Sequence, residues 1–132
     1  EFNHRGAILV LEDEEFLRSA VAKVLRRHRY SVIEAEDGSR ALQLVRQFSD
    51  DIAVLLLDIT VPGAPVREVL AEARSVIPHI KVAVASGYGQ NIAETVFSGI
   101  TIDHFIRKPY RLSELVQVID NIFAAVGEEL PK

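Results

Sequence analysis

The sequence predicts an α/β domain, a doubly wound parallel five-stranded sheet with helices on both faces. Three observations predict it. Short β-type runs alternate strictly with helical stripes. The strongest runs are continuously apolar, as strands covered on both faces are. Several of them then stop abruptly on polar residues, the pattern of a site at the carboxyl edge of an open parallel sheet. Five β/α units with right-handed crossovers follow.

The elements can be justified in order. Ala7-Ile8-Leu9-Val10-Leu11 is the first buried strand. Phe16, Leu17, Ala20, Val21, Val24 and Leu25 recur at helical spacing, with Glu14 and Glu15 before them and Arg26, Arg27 and His28 after, the order the helix dipole favours. Ser31 to Ala35 is a weaker run and reads as an edge strand. Asp37-Gly38 is a turn and helix cap before the stripe Ala41, Leu44, Val45 and Phe48. Ile52 to Leu57 is the most hydrophobic strand and runs straight into Asp58. Pro62-Gly63 marks a loop, and Val66, Val69, Leu70, Ala73, Val76 and Ile77 mark the third helix. Lys81 to Ala85 is the fourth strand, ending at Ser86-Gly87. Ile92, Ala93, Val96 and Phe97 predict a short helix that stops near Gly99. Ile102 to Ile106 is the fifth strand, followed by Lys108-Pro109. Leu112, Leu115, Val116, Ile119, Ile122 and Phe123 form the last helical stripe. Val116 and Phe123 would mark a contact surface if exposed and core if buried.

Composition narrows the function. The 132 residues fit one domain. A net charge of −4 disfavours binding driven by a basic surface, so no nucleic-acid partner is expected. The chain has no cysteine, which removes disulfides, thiol catalysis and cysteine-zinc sites. No apolar run approaches the roughly 18–20 residues of a membrane span. Glu1-Phe2 is what an EcoRI cloning site encodes, so residues 1–6 read as a tail. Residues 7–126 read as the domain and 127–132 as a tail or linker stub. The histidines at 4, 28, 79 and 104 lack metal-ligand spacing, and no GxGxxG, GxSxG or P-loop pattern occurs.

The polar residues at the strand ends carry the chemistry. They are Glu12-Asp13, Asp58, Ser86 and Lys108. Singly, each is commonly a turn, cap or solvated loop residue. The fold brings them to one edge. Carboxylates 4 Å apart at an effective dielectric near 20 repel by about 4 kcal/mol per pair. Such a cluster takes up protons or binds a cation. An all-oxygen set suits a hard ion such as magnesium. An anionic phosphoryl group could then sit between the metal, the Lys108 ammonium and the Ser86 hydroxyl. An ionised Asp58 beside a metal has the makings of a nucleophile toward phosphorus.

The chain resembles the receiver domain of bacterial two-component response regulators. The matching stretches are Ile8-Leu9-Val10-Leu11-Glu12-Asp13-Glu14, Ala35-Glu36-Asp37-Gly38, Leu55-Leu56-Leu57-Asp58-Ile59, Pro62-Gly63, Ala85-Ser86-Gly87-Tyr88 and Phe105-Ile106-Arg107-Lys108-Pro109. The resemblance implies a flavodoxin-like (βα)5 fold of strand order 2-1-3-4-5. It implies Asp58 as phosphoacceptor, with Lys108 and Ser86 binding the phosphoryl group. It implies Mg2+ or Mn2+ held by Asp13, Asp58 and the Thr60 backbone carbonyl, with Glu12 reaching the ion through water. Ser86 and Phe105 would form the conformational switch. The donor would be a histidine kinase or a histidine phosphotransfer domain. Dimer or effector contacts would use the last two β/α units. The location would be cytoplasmic, alone or as the cytoplasmic part of a membrane-anchored kinase. The Ser86-Gly87-Tyr88 and Lys108-Pro109-Tyr110 stretches look like receivers fused to hybrid sensor histidine kinases. Such a domain assists its own modification and is not a conventional turnover enzyme.

Departures from the family pattern are Glu12 for the commoner Asp, Pro65 in the loop after Asp58, and Arg111 where a capping Asp or Ser often stands. Two other readings exist. A haloacid-dehalogenase-like phosphatase also forms an aspartyl phosphate, but it needs a carboxylate where Thr60 stands. A receiver-like interaction module without phosphorylation would not need the intact set Asp13, Asp58, Ser86 and Lys108.

Overall fold

A computed structural model describes residues 5–87 and 97–129. Its sheet is wholly parallel, with strands β1 (Ala7–Leu11), β2 (Ser31–Ala35), β3 (Ile52–Asp58), β4 (Lys81–Ser86) and β5 (His104–Arg107) in the order β2-β1-β3-β4-β5. The described helices are α1 (Glu15–Arg27), α2 (Gly38–Gln47), α3 (Val66–Val76) and α4 (Leu112–Glu129). The predicted helix over Ile92 to Phe97 lies outside the described residues except for Phe97, which is buried.

Continuous apolar strands become two cores because successive side chains point to opposite faces. Leu9 and Leu11 of β1, Leu55 and Leu57 of β3, and Val82 and Val84 of β4 pack under α2 and α3. Their neighbours Ile8, Val10, Val54, Leu56, Ala83 and Ala85 pack under α1 and α4. Val116 and Phe123 are buried in that second core, so they are packing residues and offer no contact surface.

The helix ends differ in chemistry. The Asp37 carboxylate accepts from the Arg40 N–H at 2.7 Å, so Asp37 caps α2 as its position predicts. Arg111 has no oxygen to cap α4. Glu114 replaces it by accepting from the Arg111 N–H at 3.3 Å, half of a capping box.

The bounds of four elements and the exposure of one side chain depart from the sequence reading. β5 starts at His104, because Asp103 pairs with Val82 through both its N–H and its carboxylate. β3 and β4 each take in the polar residue that ends them, Asp58 and Ser86. α4 continues through Glu129, past the predicted boundary at 126. Gly127 costs a helix only about 1 kcal/mol, and the strong breaker Pro131 comes later. Phe16 is 86% exposed, although it fits the apolar stripe of α1. The buried face is centred on Val21, Ala22 and Leu25, and at 3.6 residues per turn Phe16 falls nearly opposite it.

The loop after β3 is pinned to α2. The Gly38 N–H donates to the Pro62 carbonyl at 2.9 Å, and the Ala64 N–H to Ser39 Oγ at 3.2 Å. A Cβ on Gly38 would stand 1.8 Å from the Ala64 carbonyl oxygen, so only glycine fits. Gly63 takes φ +86°, the left-handed region that glycine enters without strain.

Candidate functional site

Each site residue begins where a buried strand ends. β1 delivers Glu12, β3 delivers Asp58, β4 delivers Ser86, and β5 leads directly into Lys108. Glu12 and Asp58 are each only 5% exposed, and Ser86 is fully buried. Asp13 is exposed at the rim. The backbone ties the last two positions together, for the Lys108 N–H donates to the Ser86 carbonyl at 2.8 Å.

Lys108 is the centre of the charge cluster. Its Nζ donates to Glu12 Oε1 at 2.6 Å and to Asp58 Oδ2 at 2.7 Å. The second oxygen of each carboxylate is held locally. Glu12 Oε2 accepts from the Glu14 N–H at 3.1 Å. Asp58 Oδ1 accepts from the Thr60 N–H at 3.1 Å and from Thr60 Oγ1 at 3.2 Å. One carboxylate oxygen from each of Glu12, Asp13 and Asp58 falls within 4.8 Å of the others.

Burial pushes the Glu12 carboxyl above its ordinary value, and the nearby Asp58 charge adds to the rise. The Lys108 ammonium and the Glu14 N–H act against it. For Lys108, burial favours the neutral amine, but the hydrogen bonds to Asp58 and Glu12 outweigh it and hold the ammonium charged well above its ordinary range. Burial likewise pushes the Tyr110 phenol up to about 12. Tyr110 lines an open groove of about 430 Å³ with Glu14, Leu17, Gly87, Lys108 and Pro109, beside the cluster.

Three carboxylates face one ammonium, so the pocket has excess negative charge. Magnesium prefers oxygen donors at about 2.0–2.1 Å and commonly keeps waters, so this donor set fits it. The sequence reading thus brought together Glu12, Asp13, Asp58 and Lys108, with Thr60 on Asp58 and Ser86 beside them. Phe105 is half-buried against the α2–α3 core, across the β4–β5 pairing from Val84. Sequence reasoning missed Arg18, whose Nη1 donates to the Glu12 carbonyl at 3.0 Å.

Comparison with known proteins agrees with this geometry. The sequence model of the response regulator receiver domain matches residues 8–120, and the chain belongs to that family, the phosphorylated input modules of two-component signal transduction. It is 26% identical over 118 residues to the chemotaxis protein CheY of Thermotoga maritima, covering 87% of this chain and 95% of that protein. It is 32% identical over 110 residues to a cyclic di-GMP phosphodiesterase of the same organism, covering 82% of this chain but 28% of that longer protein. Among solved structures, the receiver domain from the hybrid histidine kinase CckA superposes with a TM-score of 0.73 at 31% identity, covering 88% of this chain and 97% of that one. Among the described residues, no helix is long and apolar enough to cross a membrane.

Proposed function

We propose that this domain accepts a phosphoryl group on Asp58 from a phosphohistidine, with magnesium or manganese bound, and changes conformation in response. The observation that carries the reading is the Lys108 ammonium held between Glu12 and Asp58 in a pocket with two carboxylates more than it can neutralise. Asp13, Asp58 and the Thr60 carbonyl would hold the ion, with Glu12 reaching it through water. A bound ion supplies positive charge that offsets repulsion between the carboxylates and the incoming phosphoryl oxygens.

The chain's own residues then have separate tasks. Asp58 is oriented by Thr60 on one oxygen and by Lys108 on the other. One Asp58 oxygen attacks phosphorus as the phosphorus–nitrogen bond of the donor breaks, and the imidazole leaves. Lys108 pairs with the new phosphoryl charge, and the Ser86 hydroxyl approaches a phosphoryl oxygen. Phe105 follows Ser86 and carries the change outward, a population shift driven by a local charge event. Water later hydrolyses the acyl phosphate.

The parent protein is read as a hybrid histidine kinase with this receiver in the cytoplasm. Support comes from the Ser86-Gly87-Tyr88 and Lys108-Pro109-Tyr110 stretches and the 31% identity to the CckA receiver. A donor of the histidine phosphotransfer type follows from that reading, and effector or dimer contacts fall to the last two β/α units. A dehalogenase-like phosphatase is disfavoured, because Thr60 spends its hydroxyl on Asp58 where that chemistry needs a free carboxyl.

The test is treatment with acetyl phosphate and magnesium, read by intact mass. Wild type should gain one phosphoryl group and Asp58→Asn none. Equal labelling of the variant would overturn the assignment.

A further inference from the structure

We propose that Arg18 is a positioning residue that aims the acidic loop after β1, acting on ion binding and phosphoryl acceptance through the backbone of Glu12. The inference rests on the reading of the site given above. Arg18 projects from α1, and its side chain is only 14% exposed. Its Nη1 donates to the Glu12 carbonyl at 3.0 Å, while its Nε lies 3.4 Å from Glu34 Oε1 on β2. Glu34 is steadied in turn by Arg26, whose Nη1 lies 3.2 Å from Glu34 Oε2 and whose Nη2 donates to the Val32 carbonyl at 3.0 Å. The guanidinium is therefore a strut between the outer strand and the acidic loop.

The consequence for Glu12 is complete engagement. Its N–H donates to the Ala35 carbonyl at 3.1 Å, and its carbonyl accepts from Arg18. Its carboxylate oxygens accept from the Glu14 N–H and from Lys108. The carbonyl contact matters most. The peptide joining Glu12 to Asp13 is planar, so fixing the Glu12 carbonyl also fixes the nitrogen and Cα of Asp13. Arg18 thereby sets the direction in which Asp13 leaves the sheet without touching its carboxylate. Only a rigid fork of donors can hold the carbonyl with one nitrogen and Glu34 with another. Partners behind a ligand set commonly change ion affinity by about 10–100-fold when removed.

The test compares wild type, Arg18→Met and Glu34→Gln at a temperature where circular dichroism shows all three folded. Arg18→Met keeps the aliphatic stem and removes the donors. Magnesium affinity is measured by calorimetric titration with magnesium chloride alone, and the labelling rate with acetyl phosphate at sub-saturating magnesium. Arg18→Met should weaken magnesium binding by about tenfold and slow labelling in proportion, while Glu34→Gln, which leaves the carbonyl contact, should stay within about twofold. Unchanged affinity in Arg18→Met, with only a lowered melting temperature, would reduce Arg18 to a structural strut and overturn the proposal. Equal losses in both variants would place the effect on β2 and overturn it too. A wild type that binds magnesium yet takes no label would sink the phosphoacceptor reading instead, and the affinity comparison would still decide the role of Arg18.

Discussion

The two edges of the sheet handle charge in opposite ways. At the amino edge, before β5, the Asp103 carboxylate accepts from the Val82 N–H at 2.7 Å and lies 3.6 Å from the Arg74 guanidinium. Arg74 also donates to the Thr101 carbonyl at 2.7 Å. One acid meets one base, and both are tied to backbone. At the same edge but across the sheet, before β2, the Tyr30 hydroxyl donates to Asp120, and Arg5 lies over the Tyr30 ring, 4.7 Å from its centroid. At the carboxyl edge, by contrast, Glu12 and Asp58 share Lys108, and the exposed Asp13 brings a third carboxylate within 4.8 Å of theirs. A balanced, partly exposed pair is a structural fastening. A pocket with surplus negative charge is one in which a bound cation would offset the repulsion between the carboxylates.

Substitutions at the two edges should therefore separate stability from binding. The largest stability loss is expected at the balanced edge. Asp103→Ala leaves the Val82 N–H and the Arg74 guanidinium without their acid, and should cost about 1–3 kcal/mol in urea unfolding. Asp58→Asn should do the reverse. It removes one like charge from the crowded edge, so metal-free stability should hold or rise, within about 1 kcal/mol of wild type. If Asp58→Asn proves the more damaging change, the contrast between the edges is wrong.

Gly38→Ala probes the brace behind the crowded edge. Its methyl group meets the Ala64 carbonyl, so the loop after β3 must move, with a stability loss of about 1–3 kcal/mol. A slower labelling rate with acetyl phosphate should accompany it, because Thr60 sits in the same loop. Lys108→Ala should leave magnesium binding largely in place and weaken the phosphoryl-driven change, seen as smaller chemical-shift differences on adding beryllofluoride.

The smallest effect concerns pH. Burial and the bond to Asp120 push the Tyr30 phenol up to about 12 from an ordinary value of 10.0. Between those values the folded chain keeps a proton that the unfolded chain has lost. The contribution is complete below pH 10.0 and fades as pH rises toward 12. Tyr30→Phe should flatten the fall of stability across that window, and an unchanged slope would contradict the assignment.

Much of this was legible in the sequence, for a physical reason. A strand covered on both faces must be apolar at every position, so Ile8 to Leu11 and Ile52 to Leu57 announce themselves. An abrupt charge after such a run, as at Asp58, then marks the sheet edge. What stayed hidden depends on distance. The reach of Arg18 to the Glu12 carbonyl, the approach of Gly38 to Ala64, and the displacement of β5 by Asp103 all join residues whose meeting is set by tertiary packing. Phe16 misled because it falls at the margin of the apolar stripe, nearly opposite the residues that α1 buries.

The central claim is that the surplus charge at the carboxyl edge serves acceptance of a phosphoryl group on one carboxylate. Borohydride reduction of the chain after acetyl phosphate treatment, followed by peptide mapping, tests it most directly. Reduction should convert residue 58 alone to homoserine. Homoserine at Asp13 instead, or at no aspartate in a chain that binds magnesium normally, would contradict the account.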